Sequence, residues 1–137
     1  PTTVDTLVVT FDPPTGKFKY SRAGRIGGII IGADGAPRRL EGADGPAIGR
    51  VRNYEYESKL DLLKPNESLL LYSRGATTAT NAKGEKFGEV QFIQAVCDGY
   101  DEPPATVISD VKHEITAFFQ NGTHEDDITI LLLKRIS

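Results

Sequence analysis

Period-two alternation and tight-turn chemistry fill the first half of this chain, while helical periodicity is confined to one later block. That segregation limits the possible folds more than any other feature. Leu7-Val8-Val9-Thr10-Phe11 is apolar and β-branched, Asp12-Pro13-Pro14-Thr15-Gly16 supplies a turn, and Lys17-Phe18-Lys19-Tyr20-Ser21 alternates polar with apolar. Together they predict a β-hairpin. Ile29-Ile30-Ile31, a turn at Ala33-Asp34-Gly35-Ala36 and a short strand ending near Leu40 predict a second. Glycine-rich sequence from Gly42 to Gly49 reads as a loop. The alternation from Tyr54 to Leu60 predicts a half-buried strand, and the continuous run Leu69-Leu70-Leu71-Tyr72 a central one. Helical spacing begins near Gly88, with Val90, Ile93, Val96 and Cys97 on one face. Pro103-Pro104 marks the start of a second helix, because proline is tolerated in a first turn. Val107, Ile108, Val111, Ile115, Phe118 and Phe119 form its stripe, and Asn121-Gly122 offers a left-handed cap. Ile128 to Leu133 closes the chain as a buried strand. Hairpin-linked strands with grouped helices define an α+β class: a layered sandwich of antiparallel β-sheets with flanking helices. Residues 1–137 read as a single domain without repeats or linkers.

Composition narrows the function classes. A chain of 137 residues can bury one core. Net charge is −3 and the basic residues are scattered among acids, which argues against nucleic-acid binding. No apolar run approaches the ~20 residues needed to span a bilayer. No signal-peptide pattern opens the chain, so a cytoplasmic location is expected. Cys97 is the one cysteine, which excludes an internal disulfide and reads as a small core residue. The sequons at Asn66 and Asn121 carry no meaning in a cytoplasmic chain. The sequence has no methionine and begins at Pro1, so it is expected to be a piece of a longer product.

Candidate chemistry is sparse. Gly24-Arg25-Ile26-Gly27-Gly28 lacks the spacing of a dinucleotide loop, and no G-K-[ST] follows any glycine. These glycines read as tight turns. Only His113 and His124 are present, so no Ser/His/Asp or Cys/His pattern can form, and His113 reads as a solvated helix residue. The richest polar cluster is His124-Glu125-Asp126-Asp127, just before the last strand. Carboxylates at a strand end can hold magnesium or manganese, which prefer hard oxygen ligands. A solvated acidic loop is the more frequent meaning of such a cluster.

Three segments add to this reading. The hairpin from Leu7 to Ile31, with Ala23-Gly24, resembles a "Y-x-x-A-G-H-N-P-P" passage. Leu62-Leu63-Lys64-Pro65-Asn66-Glu67-Ser68-Leu69-Leu70-Leu71-Tyr72-Ser73-Arg74-Gly75 resembles "L-x-P-G-D-x-L-x-L-Y-T-D-G", and Asn81-Ala82-Lys83-Gly84-Glu85-Lys86-Phe87-Gly88 then resembles "N-x-x-G-E-x-F-G". Asp126-Asp127-Ile128-Thr129-Ile130-Leu131-Leu132-Leu133 resembles "D-D-I-T-L-L-V-L". In this order they resemble the PPM-type, phosphatase 2C-like Ser/Thr protein phosphatases, in the sporulation stage II E and RsbU branch. The resemblance covers the C-terminal part of that family's domain, with the N-terminal part missing.

The resemblance implies a centre of two manganese or magnesium ions held by aspartates, in which a metal-bound hydroxide attacks phosphorus and no protein nucleophile takes part. Asp126 matches the family's last metal-binding aspartate and Asp127 its neighbour. The departures are pointed. Arg74 stands at the aspartate of "T-D-G", and Arg25-Ile26-Gly27-Gly28 replaces "H-N-P-P". A guanidinium has no lone pair for a metal and repels one. The expectation is therefore a degenerate phosphatase-like domain with no catalytic residues and no bound metal, serving as a regulatory or binding module. Its alternative is an active phosphatase of phosphoserine and phosphothreonine whose N-terminal half lies outside this chain. Arg74 is expected to face Asp126 as an ion pair, or to read phosphate together with Arg25. The implied partner is a protein, such as the phosphorylated anti-anti-sigma factor of the RsbU branch. Open sheet edges lead to an expected homodimer or a rearranged sandwich.

Overall fold

The computed structural model describes residues 2–120, 122 and 127–137. Thr6–Phe11 (β1) and Lys17–Ala23 (β2) pair antiparallel, with Phe11 opposite Phe18 and Thr6 opposite Ala23. Their turn closes through the Thr15 hydroxyl, which donates to Asp12 Oδ2 at 2.5 Å, and through Gly16 at φ 78°. Ile26–Ile31 (β3) and Pro37–Arg39 (β4) make the second hairpin, where Asp34 Oδ1 accepts the Ala36 N–H at 3.0 Å. Both hairpins lie where the turn residues place them.

Lys59–Leu62 (β5) joins β2, giving a sheet of order β1-β2-β5. The strand expected from Tyr54 thus begins five residues later. The tyrosine alternation serves a loop instead. The Tyr54 and Tyr56 rings meet edge-to-face at 4.8 Å, and their hydroxyls donate to the carbonyls of Asp44 at 3.5 Å and Pro46 at 2.6 Å. Both rings brace the glycine-rich segment across from them.

Ser68–Ser73 (β6) is central in the second sheet, between β3 and Ile130–Lys134 (β7), in the order β4-β3-β6-β7. The last strand starts at Ile130 rather than Ile128. A four-residue helix, Gly75–Thr78 (α1), follows β6 directly and was not expected, being too short to show a period. Glu89–Cys97 (α2) and Pro104–Phe119 (α3) are the two anticipated helices, the second with Pro103 at its N-cap. Val90 is 83% exposed, so it does not belong to the buried stripe; Phe92, Val96 and Cys97 form it. The cap foreseen at Asn121-Gly122 falls on Asn121, outside the described residues.

The apolar runs are continuous because they are buried on both faces. Ile29, Ile31, Leu70 and Tyr72 face the helices and meet Phe92, Val96, Val107, Val111 and Ile115. Ile30 and Leu69 face the other sheet and meet Phe18, Tyr20, Leu40 and Leu63. Each fully buried side chain of this size contributes about 1.5–3 kcal/mol. The layers are therefore sheet, sheet, helices, as the α+β sandwich reading expects. One side of the sandwich is closed by Arg38 of β4 and Asp61 of β5, joined by two hydrogen bonds of 2.9 Å. At the opposite ends of the two sheets lie β1 and β7, where Leu7, Val9, Phe11 and Leu133 are only partly buried. Among the described residues no helix is long and apolar enough to cross a membrane.

Candidate functional site

The antiparallel ladder between β3 and β6 ends at the pair Ile26–Ser73. Arg25 precedes the first of these and Arg74 follows the second, so both arginines leave the sheet at the same end. Gly24, at φ 84°, makes the turn that carries Arg25; a Cβ there would run into the Asp5 carboxylate. Arg74 is the N-cap residue of α1. Its carbonyl accepts the N–H groups of Thr77 at 3.0 Å and Thr78 at 3.2 Å, and the hydroxyls of both at 3.0 and 3.2 Å. That satisfaction of the short helix fixes where the side chain departs.

β7 enters beside the same point. Ser73 Oγ donates to the Asp127 carbonyl at 3.2 Å and accepts the Thr129 N–H at 2.9 Å, while its N–H donates to the Thr129 carbonyl at 3.0 Å. The motif ending in Arg74 and the one beginning with the aspartates thus meet. Asp127 is exposed and touches Ser73 through its backbone. Asp126, His124 and Glu125 lie outside the described residues.

Arg25 and Arg74 line one cleft of about 300 Å³, together with Arg22, Arg39, Tyr72 and Glu89. The sequence singled out only the first two. Arg22 donates to the Gly42 carbonyl at 2.9 Å and pairs with Asp44 at 2.6 Å, and its buried Nε finds no partner among the described residues. Such an unmet donor costs about 1–3 kcal/mol. Arg39 is ion-paired with Glu89, in the first turn of α2. The Tyr72 hydroxyl donates to Glu89 Oε1 at 3.0 Å. Its ring covers Gly27, where a Cβ would collide with it, which explains glycine at that strand position. Burial, and then the Glu89 carboxylate, push the Tyr72 phenol up to about 12.

The cleft is a poor host for a divalent cation. Among the described residues Glu89 is the one carboxylate that lines it, and it is committed to Arg39 and Tyr72. Four guanidiniums supply positive charge and no lone pairs. Among the described residues, no group of three His, Cys, Asp or Glu side chains converges to hold a metal. His113 is exposed on α3. Cys97 is buried, with its thiol pushed up by burial and then by Asp98. Neither joins a site.

The family model for stage II sporulation protein E (SpoIIE) matches residues 2–136. Protein IcfG of Synechocystis sp. is 25% identical over 124 residues, which are 90% of this chain and 19% of that protein. The SiaA-PP2C domain of Pseudomonas aeruginosa superposes with a TM-score of 0.79 at 22% identity, over 94% of this chain and 50% of that one. The phosphatase domain of the cell fate determinant SpoIIE from Bacillus subtilis gives 0.73 at 14% identity, over 97% of this chain and 59% of that one. A further structure of that domain was presoaked with manganese. At these identities the structural likeness establishes the fold, an antiparallel PP2C-like sandwich. The chain spans a fifth of the curated relative and about half of these solved domains.

Proposed function

The chain belongs to the stage II sporulation protein E family, and from that premise we propose that it is a phosphatase-like domain in which arginine has replaced the metal centre. It would act as a regulatory or binding module in bacterial stress- or sporulation-type signalling. One observation carries the reading. Arg74, at the position of a metal-binding aspartate in the family motif, lines a cleft with three further arginines. Metal-assisted hydrolysis without a protein nucleophile depends on carboxylates. A guanidinium there cannot substitute for one, and its charge opposes an incoming cation. The module's partner would be a protein carrying phosphate, such as an anti-anti-sigma factor, met in the cytoplasm.

A second reading draws on coverage. The chain spans 50% of the SiaA-PP2C structure, so an active phosphatase could draw its other ligands from polypeptide outside this sequence. Hydrolysis of p-nitrophenyl phosphate with and without Mn²⁺, using Asp126→Ala as control, separates the two. We expect no metal-dependent turnover. Turnover that needs both Mn²⁺ and Asp126 would establish the second reading. A longer natural form of the protein, assayed with and without Arg74→Asp, separates a substituted centre from an incomplete one.

A further inference from the structure

We propose that the groove along α2, between Glu89 and Asp98, is a docking site for a basic amphipathic helix of a partner protein, and that this helix competes with Arg39 for Glu89. The inference does not depend on whether the arginine-lined cleft hydrolyses phosphate.

α2 carries two stripes. Phe92, Val96 and Cys97 face the core. Val90, Gln94 and Asp98 recur every four residues on another face, with Gln91 and Ala95 beside them. This second stripe is one wall of a groove of about 600 Å³, which Phe87 and, from α3, Glu114 also line. Val90, expected from the sequence in the core, is instead 83% exposed there. A solitary exposed valine is ordinary on a protein surface. Val90 is not solitary, because Phe87 and Ala95 line the same groove.

Charge selects the occupant. Glu89, Asp98 and Glu114 line the groove, and among the described residues no cation lines it with them. The three carboxylates do not converge to hold a metal ion. They are spread instead. Glu89 and Asp98 lie nine positions apart, about 13 Å along a helix at a rise of 1.5 Å per residue. Lysines or arginines about two and a half turns apart on an incoming helix match that span. Charge complementarity of this kind fixes register and excludes acidic partners. A helix laid by its apolar side into a groove is a recurrent mode of recognition.

Glu89 connects the groove to the arginine-lined cleft, because it lines both. Its carboxylate pairs with Arg39 and accepts the Tyr72 hydroxyl at 3.0 Å. A lysine or arginine arriving in the groove meets a carboxylate that is already held. Docking therefore loosens Arg39, and Arg39 in turn limits docking, as linkage requires.

Fluorescence anisotropy tests this with a labelled amphipathic helical peptide of leucine, alanine and lysine. One control carries glutamate in place of lysine, and another has the same composition in scrambled order. The lysine peptide is expected to bind, less tightly as salt rises, and neither control should. Asp98→Asn and Glu114→Gln should each weaken binding about threefold, and Val90→Ser should weaken it too. Glu57→Gln removes an equal charge from a residue whose carbonyl bonds to Ser21 of β2, in the sheet away from the helices, and should change nothing. Arg39→Ala removes the internal partner of Glu89 and should tighten binding about threefold. Arg38→Ala, which removes a side chain bonded to Asp61, should leave the affinity unchanged. Circular dichroism confirms that each variant folds. No binding of the lysine peptide, or equal binding of either control, would overturn the proposal. So would a loss from Glu57→Gln as large as that from Asp98→Asn, or an affinity that Arg39→Ala fails to raise. Self-association of the chain that Val90→Ser abolishes would make a second copy the occupant and overturn a foreign partner.

Discussion

Tyr72 joins the core of this molecule to its cleft. The ring packs on Phe92 at 4.8 Å between centroids, within the cluster beneath the helices. The hydroxyl reaches Glu89, which in turn holds Arg39. Ionising this phenol would bury a charge beside a carboxylate, which is why its pKa is pushed up to about 12. A raised pKa means that the folded state holds the proton more tightly than the unfolded state does. The resulting stability is fully present below the unfolded value of about 10 and is lost as pH rises from there through about 12. An absorbance titration of the phenols should show a late step near pH 12 that disappears in Tyr72→Phe. That substitution should also cost about 1 kcal/mol at neutral pH. A late step that survives in Tyr72→Phe would place it elsewhere, and Tyr20, also pushed up by burial and then Asp61, would be its next source. At this scale Arg25 and Arg74 stood out in the sequence, because each departs from the motif that its segment resembles, and the structure brings both to one cleft. Arg22, Arg39 and Glu89 did not stand out. They belong to β2, β4 and α2, and only the pairing of β3 with β4 and β6 and the packing of α2 unite them.

The four outer strands of the two sheets differ in how they are protected. β4 is three residues long, begins with proline and carries two arginines, and β5 is half charged; Arg38 and Asp61 join them. β1 has no charged residue, and β7 has only Lys134 at its end. Leu131 of β7 is 52% exposed and Val8 of β1 is 58% exposed. Short, charged or proline-bearing edges resist pairing, whereas uncharged apolar ones invite it. The chain alone is therefore expected to self-associate through β1 and β7. Light scattering after size exclusion should show a dimer or larger species, and Leu131→Lys should shift it toward monomer with a stability change within about 1 kcal/mol. A clean wild-type monomer would contradict this. The hairpins were readable because their turns use residues with fixed backbone demands. β5 was misplaced because alternating tyrosines look alike in a strand and in a loop brace. In α2 the sequence favoured Val90, although Phe92 fills the core; neighbouring apolar residues on a short helix leave the phase of the stripe undetermined.

Across the whole molecule, the sandwich is that of a phosphatase 2C-like fold, and the residue after β6 is an arginine that lines a cleft with three others. Family membership and layer order were both legible, since they rest on motifs spread along nearly the whole chain and on strand segregation. The cleft was legible only in outline: the sequence resembles a motif that has aspartate where Arg74 stands, whereas the structure shows which side chains line the cleft with Arg74. The central claim is that arginine has displaced the metal. Calorimetric titration of Mn²⁺ into this chain tests it most directly, with Arg74→Asp beside the wild type. The wild type is expected to show no saturable Mn²⁺ binding, because Glu89 is held by Arg39 and three further guanidiniums line the same cleft. Stoichiometric Mn²⁺ binding by the wild type, lost in Asp126→Ala, would contradict it.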